Sequence, residues 1–269
     1  MHPETRRFTQ GCLLAIPVSL ILWVLIIAII VVACGPRPSP TAYAVYLPLV
    51  TRPFGGKGLA AVNVSAALID PFGVSWYYTW GETCSGCAVP GRIPMVKNWQ
   101  LPTQCYPALM VGNEPELRAP DDFPMTPAQA VAALQAIEAM CPQTYVVAGN
   151  VSHLGVAWLT QFLASYPGYD GAIGVHCYAV TTADFCLTRL AEFRALYMGP
   201  MWVTEFNCLG CSTAGFRQMV QYAASNFQGY APYTNREPGS GQPWEIGPAS
   251  WLVATDGTLT ANGQVYADW

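Results

Sequence analysis

The chain is poor in charge. Only 10% of its 269 residues are Asp, Glu, Lys or Arg, and 12 basic residues face 16 acidic ones, for a net charge of −4. That balance excludes nucleic acid as a partner, because binding a polyphosphate needs a strong basic excess. No glycine-rich phosphate fingerprint occurs, which argues against a dinucleotide site. There is no internal repeat, and no cysteine has a histidine beside it in a recognisable nucleophile motif, so thiol catalysis is not indicated. What the chain does have is apolar bulk. Hydrophobic residues make up 52% of it, with 9 Trp, 14 Tyr and 10 Phe. Most such rings fill core, and the remainder suit a site for a flat, partly apolar ligand.

Charge is absent altogether from residues 13–33, LLAIPVSLILWVLIIAIIVVA. At ~1.5 Å per residue this run spans ~30 Å, the thickness of a bilayer core. Arg6 and Arg7 precede it, so the N-terminus is expected to stay cytoplasmic while the rest crosses over. The sequence VVAC at 31–34 also reads as a lipobox, with Cys34 as the lipidated residue. Either a transmembrane helix or a lipoprotein signal gives the same expectation: residues 1–34 tether the protein to the membrane, facing outward. Residues 35–57 carry five prolines and no helical period, the composition of a stiff, extended spacer. The folded domain is expected over 58–269.

Eight cysteines lie in that domain: Cys84, Cys87, Cys105, Cys141, Cys177, Cys186, Cys208 and Cys211. In an oxidising compartment they imply disulfides of undetermined pairing. Cys84-x-x-Cys87 and Cys208-x-x-Cys211 also have the spacing of a four-thiolate zinc site, although the two pairs are far apart in sequence. Two glycosylation sequons occur, at Asn63 and Asn150. They matter only in a host that glycosylates, and the lipobox points to a bacterium.

Short apolar strands alternate with helical segments. Strands are expected at 73–80, 92–99, 108–115, 144–151, 171–180, 200–207 and 228–235, with 58–65 as the eighth. Several are unbroken apolar runs, as in parallel strands buried on both faces. Between them, residues 126–140 begin with a Thr126 cap and Pro127 at the first helical position. Residues 184–199 and 213–229 are expected to stop at Gly199 and Gly229. This alternation predicts an α/β fold, a (β/α)8 TIM-type barrel.

In such barrels chemistry sits where strands end at their C-terminal face. Several predicted strands end there in polar or aromatic residues: Trp76 to Trp80, Lys97 to Trp99, Asn113 and Glu114, Asn150, His176 and Tyr178, and Glu205. Two carboxylates, Glu114 and Glu205, close apolar runs three strand steps apart, across one barrel mouth. Such a pair suits glycoside hydrolysis. One carboxyl protonates the leaving oxygen while the other attacks the anomeric carbon, and ~5 Å between them gives retention. Plainer roles compete: a helix-terminal acid for Glu114, a satisfied core imidazole for His176, packing for Tyr178 and Trp76, and loop charges for Glu82 and Glu116.

The segments SWYYTWG, PMV, GNEPE, GVHCY, WVTEF and the closing DGTLTANGQVYADW resemble glycoside hydrolase family 128, over about residues 58–269. The resemblance implies a barrel acting on β-1,3-glucan without metal or organic cofactor, as a monomer. It makes Glu114 the general acid/base and Glu205 the nucleophile. It also places Asn113 on the 2-hydroxyl of the attacked sugar, Tyr178 on Glu205, His176 at the substrate, and Trp76 and Trp80 against sugar faces. Glu116 stands where the family often has Asp. The two Cys-x-x-Cys loops flank the expected cleft, which bears on linkage preference more than on reaction type. Two competing readings are a non-catalytic glycan-binding envelope lipoprotein on the same barrel and a zinc-stapled structural domain.

Overall fold

A computed structural model describes residues 55–269, apart from 63, 86, 88, 119–122 and 235–249. These belong to one compact unit, Phe54–Trp269. The membrane anchor expected at 1–34, most of the spacer and the Asn63 sequon lie outside the described residues. Among those described, no helix is long and apolar enough to cross a membrane.

Eight strands run in parallel: β1 (Gly56–Ala61), β2 (Trp76–Tyr78), β3 (Met95–Val96), β4 (Ala108–Val111), β5 (Tyr145–Val151), β6 (Ala172–Ala179), β7 (Met201–Cys208) and β8 (Gly229–Thr234). Their order is β2-β1-β8-β7-β6-β5-β4-β3. The two end strands approach one another through a parallel bridge between Tyr77 and Arg92, so the sheet is a nearly closed barrel. β1 starts earlier than the expected boundary at 58. Gly56 and Lys57 pair with Gly229 and Tyr230, so the last two residues assigned to the spacer are barrel.

The helices are α1 (Ala66–Ile69), α2 (Pro127–Met140), α3 (Val156–Ser165), α4 (Ala183–Leu196), α5 (Thr213–Asn226) and α6 (Ala261–Ala267). The described residues between β2 and β3, and between β3 and β4, contain no helix, so two of the eight expected helices are replaced by loops. α2 begins as its sequence dictates. Thr126 and Gln129 form a reciprocal capping box around Pro127. The expected stops at Gly199 and Gly229 are not used. α4 ends at Tyr197 and α5 at Phe227, both in extended conformation, and Gly229 already opens β8.

Two apolar layers hold the barrel. Outward-facing strand residues such as Leu109, Val146, Ile173, Val203 and Phe206 pack against helix residues including Leu134, Phe162, Leu190 and Phe216. The interior is filled by Ala60, Trp76, Tyr78, Met95, Met110, Val147, Trp202, Tyr233 and Trp251. Large rings fit inside so short a barrel only because small residues oppose them. A Cβ at Gly58 would overlap the Trp76 indole, and one at Gly229 would press on Trp202. Continuous apolar strands in the sequence thus correspond to burial on both faces.

All eight cysteines pair, as Cys84–Cys87, Cys105–Cys141, Cys177–Cys186 and Cys208–Cys211. Each Cys-x-x-Cys closes on itself, which corrects the four-thiolate zinc reading. No group of His, Cys, Asp and Glu among the described residues is arranged to hold a metal ion.

Candidate active site

Buried polar side chains are few, and most lie toward the C-terminal ends of the strands: Thr79, Asn150, Ser152, His176, Thr204, Glu205, Asn207 and Thr234. Glu205 is at their centre. It sits in an irregularity of β7. Val175 pairs with Val203, but His176 pairs with Glu205. β8 shows the same slip between Val203 and Phe206. β7 therefore carries one residue more than either neighbour, and such a bulge re-aims side chains. The consequence is that Thr204 and Glu205, although consecutive, both make contacts inside the barrel.

Three donors converge on the Glu205 carboxylate. Tyr78 Oη donates to Oε1 at 2.6 Å, Trp80 Nε1 donates to Oε1 at 2.8 Å, and Tyr178 Oη donates to Oε2 at 2.6 Å. All three are donors toward an acceptor. Burial, followed by the charge of Glu205, holds both phenols well above the ordinary tyrosine range, so they keep their protons.

Glu114 follows the end of β4 with a left-handed backbone, φ 43°. An L-residue adopts that conformation at a cost of roughly 1–2 kcal/mol, and such residues concentrate at functional sites. Its amide donates to Asn150 O at 3.0 Å. Its side chain is 20% exposed, open to a ligand, and Oε1 lies 3.0 Å from His176 Nδ1. Glu114 caps no helix: the next one, α2, is capped by Thr126.

His176 joins the two acids. The ring is fully buried, with Nδ1 on Glu114 and Nε2 3.5 Å from Glu205 Oε1. Because both contacts are made by one imidazole, the two carboxylates lie within roughly 9 Å of each other, a bound that admits both the closer carboxyl pairs of retaining glycosidases and the wider pairs of inverting ones. Burial alone would depress the imidazole, but the negative charges of Glu205 and Glu114 outweigh it and raise its pKa above the ordinary 6.5.

The other expected site residues divide. Asn113 precedes Glu114, and its Oδ1 is buried without a partner, so it can take a hydroxyl donor. Trp80 stands at the mouth, edge-on to Tyr233. Trp76 is not in the cleft. It is fully buried, its Nε1 donates to Gly56 O, and its ring packs on Trp202 with centroids 4.8 Å apart. Its assignment as a sugar platform is therefore corrected to core at the N-terminal end of the barrel. Trp99 is likewise buried beneath Gly112, whose lack of a Cβ leaves room for the indole.

Two supposed loop charges are fasteners. Glu82 Oε1 accepts from Thr103 and from Tyr106 Oη, and Glu116 Oε1 accepts from Ser152 N at 2.6 Å. Burial raises the Glu116 pKa despite those donors. The sequence reading gave no role to Tyr78, which closes β2 midway between Trp76 and Trp80 at the same period-two spacing. The period-two alternation that paired those tryptophans contained the signal. It also missed Trp251, buried in the barrel-interior cluster, for which no local motif exists.

The chain matches a known family, glycosyl hydrolase catalytic core, over residues 58–266. No curated protein matches the chain. Among solved structures, an exo-β-1,3-glucanase of glycoside hydrolase family 128 (subgroup V) from Cryptococcus neoformans is similar at 21% identity and TM-score 0.60. That match covers 79% of this chain and 98% of the other. An endo-β-1,3-glucanase of the same family (subgroup IV) from Lentinula edodes is similar at 16% identity and TM-score 0.64, covering 79% and 99%. An oligosaccharide-binding protein of subgroup VII from Trichoderma gamsii is similar at 18% identity and TM-score 0.58, covering 80% and 93%. At these identities the likeness is one of fold.

Proposed function

The chain belongs to the glycosyl hydrolase catalytic core family, and on that premise we propose that it is a retaining β-glucan hydrolase, acting on β-1,3 linkages. The observation that carries the hydrolase reading is the imidazole of His176, contacted on one nitrogen by Glu114 and on the other by Glu205, and retention follows from the nucleophile role that the sequence resemblance gives Glu205. Glu205, held by Tyr78, Trp80 and Tyr178, attacks the anomeric carbon. Glu114 passes its proton to the leaving glycosidic oxygen, so the C–O bond breaks as the Glu205–sugar ester forms. Glu114 then takes a proton from water, which displaces Glu205 and releases the sugar with its configuration retained. Asn113 Oδ1 accepts the sugar's 2-hydroxyl, and Trp80 offers an aromatic wall. The choice of β-1,3-glucan rests on the sequence resemblance and on the similarity to glucanases of that family.

We further propose that segment 13–33 tethers this enzyme to a membrane, facing outward. Its charge-free length and the four disulfides of the domain support an exported protein.

A second reading has support in the oligosaccharide-binding relative of the same fold: a binder without turnover. Exposure to an activated 2-deoxy-2-fluoro β-glucoside, read by peptide mass spectrometry, separates the two. The hydrolase reading expects a covalent adduct on Glu205. Saturable binding of β-1,3-glucan oligosaccharides with neither adduct nor sugar release selects the binder.

A further inference from the structure

We propose that Asn150 is the positioning residue that sets both carboxylates of this site; the inference rests on the hydrolase reading above. Like β7, β5 carries one extra residue. Gly149 pairs with Gly174 and Val151 with Val175, leaving Asn150 unpaired between them. Its backbone is left-handed, φ 48°, and its side chain is fully buried.

The amide reaches both ways across the barrel. Nδ2 donates to Gly112 O at 3.0 Å and to Val111 O at 3.3 Å, the residues that lead into Asn113 and Glu114. Oδ1 accepts from Thr204 Oγ1 at 2.9 Å, the residue before Glu205. The Asn150 carbonyl accepts the Glu114 amide. One residue thus holds the backbone approach to the acid/base on β4 and the bulge bearing the nucleophile on β7, two strands that are not neighbours. β6 lies between β5 and β7, and Gly174 provides the gap. A Cβ there would overlap Asn150 Oδ1 and lie 3.1 Å from Thr204 Oγ1.

Only an amide satisfies these partners, since carbonyls on one side need a donor and the Thr204 hydroxyl on the other needs an acceptor. Glu114 and Asn150, two of the three left-handed non-glycine residues described, are joined by the hydrogen bond from the Glu114 amide to Asn150 O, so the strained backbone at each is held by the other. The same burial means that the Asn150-Val151-Ser152 sequon cannot carry a glycan in the folded chain.

The test uses the full-length protein with a β-1,3-glucan as substrate. Asn150→Asp preserves shape but replaces the donors with a carboxylate facing two carbonyls. Thr204→Val preserves volume and cuts only the link to β7. Misplacing a reacting group by about an ångström can cost ~100-fold in rate. Asn150→Asp is therefore expected to lower kcat by that order, with KM within about threefold and both limbs of the kcat pH profile displaced, because both carboxylates move. Thr204→Val is expected to lower kcat by a smaller factor at unchanged KM and a melting temperature near wild type. If Asn150→Asp does not fold, Thr204→Val decides alone. Variants that melt earlier but keep wild-type kcat and pH profile when assayed cold overturn the proposal and leave the hydrolase reading standing. Absence of turnover in the wild type removes the hydrolase reading itself, and this proposal with it.

Discussion

At the scale of single residues, the site is governed by where donors and charges point. Among the described residues, His176 contacts both acids, and its raised pKa has a consequence for stability. A histidine whose folded pKa exceeds its unfolded value stabilises the fold fully below ~6.5, and that contribution is lost as pH rises through the raised value. His176→Gln should therefore lower the melting temperature relative to wild type most near pH ~6, with the gap narrowing toward pH ~9. Thermal melts of both proteins across that range check it, and a gap that widens with pH would contradict it. Two of the residues gathered at the site were legible in the sequence as residues. Glu114 and Glu205 stand out in the sequence because carboxylates that close apolar runs are rare in so uncharged a chain, and the structure places both against His176. Packing competes with a sugar platform for Trp76 on sequence alone, less so for Trp80 at the loop edge. The two share a period-two spacing, but Trp76 opens β2 while Trp80 lies beyond its end, and only the depth of the barrel decides which is core. Trp76→Ala is expected to cost ~3–5 kcal/mol of stability, as for large core deletions, while the KM for glucan at low temperature stays within about threefold. An unchanged melting temperature with a raised KM would return Trp76 to the cleft.

At the scale of elements, strands and helices followed from periodicity and capping, and what escaped were irregularities. The bulges in β5 and β7 leave no mark on hydrophobic pattern, because a strand buried on both faces stays apolar through a one-residue slip. Yet those slips aim Asn150 and Glu205. The missing helices after β2 and β3 were equally invisible, since the loops replacing them hold their shape through long-range contacts such as Glu82 with Thr103 and Tyr106. Disulfide pairing could not be read either. Cys105–Cys141 bridges the approach to β4 and the end of α2, closing a loop of sequence separation 36. Loop-closure entropy gives such a bridge about 3–4 kcal/mol. Replacing both cysteines by serine should lower the melting temperature by about 10 °C in a domain of this size, measured by calorimetry. A shift below a few degrees would mean the reduced chain is already ordered there.

At the scale of the whole molecule, the barrel was legible because each level of the sequence agreed: apolar strands, capped helices and polar groups gathered at one end. Small and large residues alternate through the interior, with Gly58 and Gly229 against Trp76 and Trp202, so the core is packed by volume as well as by hydrophobicity. The two acids sit on β7 and just past β4, three steps around the barrel, and the rigid sheet between them fixes their approach. The central claim is that these two carboxylates act together on one glycosidic bond. It is tested most directly by product analysis of β-1,3-glucan and mixed-linkage β-glucan digests, comparing wild type with Glu205→Gln at equal folded concentration. The account predicts sugar release from the β-1,3-glucan by wild type and none above background by Glu205→Gln. Equal release by both proteins, or release by neither, would contradict it.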